Sequence, residues 1–279
     1  MSAVTAPTQT GAAPARKPGR SPVTFPRVLR SEWTKLRSLR STRWSLLAGF
    51  IAMAGLGPLI AAIQMGRWSQ LSPDERLHFN AIDHSLGGFE LAQLAIGVLG
   101  VLVISGEYST GQIRSSLMAV PRRLPVLWAK LLAFAAVAFA LMLVGAAIAF
   151  FSSQAIFTQH HVNVTLGHAP ALRTLFGVVL YMTVTGMLCT ALGAILRSTA
   201  GGISAYVALL FVLPGIVAIL PSSIGNAINP YLPSSAGRVL AQATRDAHTL
   251  TPWAGFGLYC GYTAFAIAVA AYLLVRRDA

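Results

Sequence analysis

Residues 91–116 read LAQLAIGVLGVLVISGEYSTGQIRSS. From Leu91 to Ser105 there is no charge, and no two-residue alternation of apolar and polar side chains. An apolar helix therefore accounts for it, and a half-buried strand does not. A helix of ~20 apolar residues crosses the ~30 Å hydrocarbon layer of a bilayer. At Gly106 the character changes at once. Glu107, Tyr108, Ser109, Thr110, Arg114 and Ser115 bring polar groups together at the edge of the apolar run.

The same apolar texture recurs along the chain. Of 279 residues, 55% are hydrophobic and only 10% are charged, against roughly 25% charged in a soluble domain. Six runs have spanning length: Trp44–Gly66, Ser85–Ser105, Leu131–Ser153, Leu172–Leu196, Gly201–Leu220 and Trp253–Val275. They are rich in Ala, Leu and Gly. Pro58 and Pro214 inside them are expected to mark kinks, which membrane helices tolerate. The reading is an all-α membrane protein with six transmembrane helices. Residues 1–24 are expected to form a disordered tail rich in Ala, Pro and Thr, 25–43 an amphipathic interface helix, and 44–279 a six-span transmembrane domain. The first 42 residues hold no apolar core of the kind a secretory signal needs.

Charge orients this frame. Lys and Arg accumulate on the cytoplasmic side of membrane proteins. With the N-terminus inside, the outer segments hold Arg67, Arg76, Arg173, Arg238 and Arg245, five of the 21 basic residues, and the inner segments hold the other sixteen. Both termini are thus expected in the cytoplasm, in agreement with an even number of spans. The net charge of +13 is then explained by topology and by anionic lipid of the bilayer. No nucleic-acid motif accompanies it.

Residues 25–43 read FPRVLRSEWTKLRSLRSTR. Phe25, Leu29, Trp33 and Leu36 recur at helical spacing, with Arg27, Arg30, Lys35, Arg37 and Arg40 around them. Thr24 before Phe25-Pro26 is a helix start. An amphipathic basic helix of this kind lies flat at a membrane surface. Two readings stay open: a plain anchor, or a surface that docks a partner. Glu32 favours docking, because an anchor on anionic lipid gains nothing from an acid.

The chain lacks machinery of its own. Lys17, Lys35 and Lys130 are its only lysines, and none is followed by Ser or Thr, so the phosphate-cradling G-x-x-x-x-G-K-[ST] loop is missing. Glu90 is the one acid placed inside a span, near its outer end; it reads as a boundary residue reaching water or a partner helix. Ser204 has no histidine in any span to activate it. His160, His161 and His168 share an outer loop without metal-site spacing, and Cys189 and Cys260 read as small buried hydrophobes. If such a chain moves a substrate, another subunit supplies the work.

The segment Gly106–Lys130 joins spans two and three on the inner side. After Gly111, QIRSSLMAV is expected to form a short helix ended by Pro121, with Ile113, Leu117 and Val120 on one face. A helix held at the mouth of two spans is a lever. The ordered set Glu107, Gly111, Ile113, Arg114, Pro121, Arg122 and Lys130 resembles the ABC-2 type transport permeases. SEWTKLRSLRSTRW (31–44) resembles their actinobacterial branch, and NPYLPSSAGR (229–238) resembles their segment between spans five and six. Gln112 departs from the threonine usual there. The resemblance implies two permease chains forming one pathway, two separate ATPase subunits that bind ATP and Mg, and no cofactor or catalysis in this chain. It also implies that the ATPase grips the loop through Glu107, Tyr108, Gly111, Ile113, Arg114, Leu117, Pro121, Arg122, Arg123 and Lys130. The interface helix is gripped through Glu32, Trp33, Lys35, Leu36 and Arg37. A non-transporting sensor or scaffold is the alternative. The proline-broken segment 221–252 is expected to form short re-entrant helices at the outer end.

Overall fold

The computed structural model describes residues 24–38, 40–113, 118, 123–245 and 248–276. Among them there is no strand, and six helical stretches are long and apolar enough to cross a membrane: Arg40–Gly66, Ala81–Ser109, Leu124–His160, Ala171–Leu196, Thr199–Ala218 and Pro252–Arg276. The chain is an all-α, multi-pass membrane protein. The expected disordered tail, apart from Thr24, lies outside the described residues.

Spans two and four form the centre. Their apolar windows are 61% and 72% buried, against 22% for spans one and five. In lipid there is no hydrophobic drive to bring helices together, so small residues that allow close approach, and hydrogen bonds between spans, do that work. Glycines supply the approach. Span two turns at Gly87-Gly88, where a side chain on Gly88 would meet the Ala52 and Met53 carbonyl oxygens of span one, at 2.5 and 2.9 Å. Gly100 faces the Gly186 carbonyl of span four in the same way. Tyr206 of span five donates to the Gln93 carbonyl at 2.8 Å, Thr185 of span four and Tyr259 of span six share a hydrogen bond at 2.8 Å, and Gln154 of span three donates to Ser85 at 2.9 Å. Each such bond is worth about 0.6 kcal/mol in a membrane.

The expected ends of two spans are corrected here. Spans two and three run further than their apolar runs: Glu107 lies in the last turn of one and Lys130 one turn or two inside the other. A charge ends an apolar run in the sequence but does not end a helix whose charge is paired, as described below. Pro58 sits within an unbroken helix. At Pro214 the missing N–H is accommodated by a π-helical stretch, Ala208–Val212, ahead of it. His160 is exposed, and its ring stacks on Trp68 at 5.4 Å.

The segment between spans five and six forms the expected short helices, Ser222–Ile228 and Pro233–Arg238, followed by a 3-10 turn at Val239–Ala241. Gly237 packs on the rings of Tyr181 and Tyr259. Tyr181 lies ten residues into span four, about 15 Å along the helix. The part over residues 233–241 therefore dips between spans four and six, where Ser234, Ala236, Gly237, Val239, Leu240 and Ala241 are buried by protein, the condition for irregular structure at such depth.

Candidate functional site

At the end of the bundle that carries both ends of the described chain, four charges close into a ring. The N-terminal helix Phe25–Ser38 begins with Arg27 and Val28 N–H groups bonded to the Thr24 carbonyl. It packs on the start of span three through Val28 and Leu29 against Val126 and Ala129. That contact sets Glu32 over Lys130, which donates to Glu32 Oε2 at 2.6 Å and to Glu107 Oε1 at 2.9 Å. Lys35, one turn after Glu32, donates to Glu32 Oε1 at 2.7 Å and to the same Glu107 oxygen at 2.9 Å. Two acids and two bases thus alternate, with no net charge. Glu32, Glu107 and Lys130 are only 3%, 6% and 2% exposed.

Such a ring is costly to bury and costlier to break. Taking charges out of water costs several kcal/mol per ion, and the attraction between close opposite charges in a medium of low dielectric offsets this. Burial alone lowers the pKa of Lys35; its hydrogen bonds to Glu32 and Glu107 and the attraction of both carboxylates outweigh this, and the pKa is raised above the ordinary lysine value. The stabilisation from Lys35 is therefore fully present below that ordinary value. It is lost only as pH rises through the raised one, so the ring stays closed across the neutral range.

Neighbouring contacts stitch the same end. Arg197, in a left-handed conformation that caps span four, lies over the Tyr108 ring at 5.2 Å. Ser105 and Thr199 share a hydrogen bond at 2.9 Å, and Arg123 donates to the Leu274 carbonyl at 3.1 Å. Gly111 has a φ of 70°, the left-handed turn that ends span two and that a side chain would strain.

The predicted site residues are distributed as follows. Glu107, Lys130, Ile113, Glu32 and Leu36 are buried, Tyr108, Arg123 and Lys35 are half-buried, and Trp33, Arg37 and Gly111 are exposed. Arg114, Leu117, Pro121 and Arg122, and with them most of the expected loop helix, lie outside the described residues. Glu32 is thus corrected from an exposed docking acid to an internal ligand of two lysines. Glu107 pairs with both Lys35 and Lys130. The buried side of the N-terminal helix is Val28, Glu32 and Leu36, one edge over from the apolar stripe of Phe25 and Trp33, which stays exposed. Sequence reading missed Lys35 as a partner of Glu107 and Lys130 as a partner of Glu32, since no spacing rule links positions 72 or 98 residues apart along the chain. The available signal was four charges at the borders of apolar runs in a chain with only eight acids.

The opposite end is held by a second set. Glu90 pairs with Arg238 of the dipping segment, and Arg238 lies over the Phe89 ring at 5.6 Å. Asp83 accepts from the Ala243 N–H at 2.8 Å, and Arg173 donates to the Gln242 carbonyl at 3.0 Å. Glu90 thus reaches a partner, an arginine from the short segment. Because this pair is more than a third exposed and Asp83 and Arg173 back it, Glu90→Gln is expected to change unfolding stability by less than about 1 kcal/mol. Asp83→Ala in the same background is expected to cost more than either change alone, measured as a double-mutant cycle of thermal unfolding.

A search among curated proteins finds no match to this chain. The sequence model of the ABC-2 family transporter protein matches residues 28–215, from the helix that carries Glu32 and Lys35 through the fifth span, and stops short of 229–238. That range holds every member of the charge ring and well over half of the chain, and the chain accordingly belongs to the ABC-2 family of transporter proteins, as a membrane-spanning permease subunit of the kind that associates with an ABC ATPase.

Proposed function

We propose that this permease belongs to an ATP-driven exporter of a hydrophobic or amphipathic compound in the plasma membrane. Two permease chains, identical or related, form the pathway. Two separate ATPase subunits, which hold ATP and Mg, bind at the end carrying both termini, and that end faces the cytoplasm. The charge asymmetry of the loops supports this orientation. ATP-driven closure of the ATPase pair pushes on the N-terminal helix and on the loop after span two, and the spans rock between inward-open and outward-open states.

One observation carries this reading. The ring Glu32–Lys35–Glu107–Lys130 fastens the N-terminal helix to the end of span two and the start of span three. A push on the helix or the loop therefore moves both spans together, because these four side chains resist being pulled apart in a site with little water. The exposed Trp33 and Arg37 and the loop beyond Gly111 are the parts an ATPase can touch; the ring behind them transmits the motion.

Glu107→Gln tests it. The amide still accepts a hydrogen bond, and Lys35 reaches water, so folding is expected to hold. The two lysines are no longer balanced, and the link between helix and spans loosens. In proteoliposomes with the ATPase co-expressed, transport is expected to fall roughly tenfold or more while ATP hydrolysis persists, the equivalent of about 1.4 kcal/mol of lost coupling. Transport equal to the parent protein would remove the ring from the mechanism.

A further inference from the structure

We infer that a cavity under the N-terminal helix is a binding site for an anionic phospholipid whose headgroup carries free hydroxyls, such as a glycerol or an inositol. This does not rest on the transport reading. The cavity measures about 220 Å³ and is bounded by the N-terminal helix, the first turn of span one and the last turns of span two. Liquid water occupies roughly 30 Å³ per molecule, so there is room for a headgroup of several heavy atoms. One wall is apolar, with Leu36, Leu102 and Val103. The other is polar, with Glu107, Ser109 and Thr110.

The polar wall offers lone pairs. The Ser109 and Thr110 hydroxyls each donate to the Gly106 carbonyl, at 3.0 and 2.9 Å, and so present acceptors to anything in the cavity. Glu107 Oε1 takes both lysines, while its Oε2 is buried and has no hydrogen-bond partner. A buried carboxylate oxygen left without a donor is costly, and a ligand donor removes that cost. The donor is a neutral hydroxyl. The ring is already balanced, and two ammonium groups sit on the neighbouring oxygen, so a third cation would be repelled.

Charge beside the cavity selects the rest of the ligand. Arg40 is exposed and precedes Ser41, which lines it. An arginine there attracts a phosphate at a charged membrane surface. The exposed Phe25 and Trp44 offer apolar surface to acyl chains at the same border. A headgroup with hydroxyls deep and phosphate outward meets all three features.

Native mass spectrometry of the full chain, purified in a detergent without sugar, tests this with lipids of matched acyl chains. Phosphatidylglycerol is expected to give a single adduct roughly tenfold more readily than phosphatidic acid or phosphatidylcholine, the effect of one hydrogen bond to a charged acceptor. Gly106 lines the cavity and a Cβ there has no atom within 4 Å, so Gly106→Leu is the variant chosen to fill the site. It is expected to bring phosphatidylglycerol down to the level of phosphatidic acid with the unfolding temperature unchanged. Equal binding of phosphatidylglycerol and phosphatidic acid would reduce the effect to charge and overturn the inference. So would a phosphatidylglycerol preference that survives Gly106→Leu, or a preference for phosphatidylethanolamine, which would mark an ammonium site.

Discussion

Lys130→Met is expected to destabilise the purified protein by about 3–5 kcal/mol, the cost of leaving a buried charge without its partner. Lys130 donates to Glu32 Oε2, and it shares Glu107 Oε1 with Lys35. Its removal leaves two buried carboxylates facing one lysine. The double variant Lys130→Met/Glu107→Gln is expected to recover much of that loss. It leaves the Glu32–Lys35 pair balanced at 2.7 Å and puts no second carboxylate beside it. Thermal or denaturant unfolding of the four members of this cycle reads the coupling directly. Lys130→Met within 1 kcal/mol of the parent would mean that water or another base already compensates Glu107 and Glu32, and the ring would lose its role as a fastener.

Gly177→Ala is expected to have the other large effect, at the opposite end. A Cβ at Gly177 would fall on the backbone carbonyl of Leu240 in the dipping segment. A side chain could rotate away, but a carbonyl fixed in a 3-10 turn cannot, so the turn itself has to move off span four. Overpacking of this kind costs about 1–3 kcal/mol. The expected result is a lower unfolding temperature together with faster amide exchange across residues 233–241. Gly257→Ala is the control. It lies in span six with nothing near its Cβ position, and it is expected to be neutral or to stabilise by up to about 1 kcal/mol, as Gly to Ala does inside a helix. Equal effects at both positions would show that the contact with Leu240 is not what holds the segment in place.

Most of the frame was legible in the sequence. A bilayer imposes one length on every span and forbids unpaired backbone within it, so each uninterrupted apolar run had one available structure. The short helices after Pro221 were legible for a related reason, since Pro230 and Pro233 break a segment too apolar to sit in water. Span ends were not legible. Glu107 and Lys130 looked like loop residues because a single charge in an apolar setting is unfavourable when taken alone. They lie within helices because each is neutralised by a group that the chain brings in from elsewhere.

The candidate site divides along the same line. Glu107 and Lys130 stood out from their pattern, and Glu32 from being the one acid in a basic helix. Their connection did not, because pairing depends on the packing of Val28 and Leu29 against Val126 and Ala129. Arg238 reaching Glu90, and Arg197 covering Tyr108, are of the same kind. The sequence by itself determined that this chain spans a membrane six times and which of its residues break the apolar pattern. Only the tertiary structure decided that four of those residues form one neutral ring. Hydropathy is a local property of consecutive residues, whereas the energy of a buried charge is set by whatever lies within a few ångströms of it, from any part of the chain.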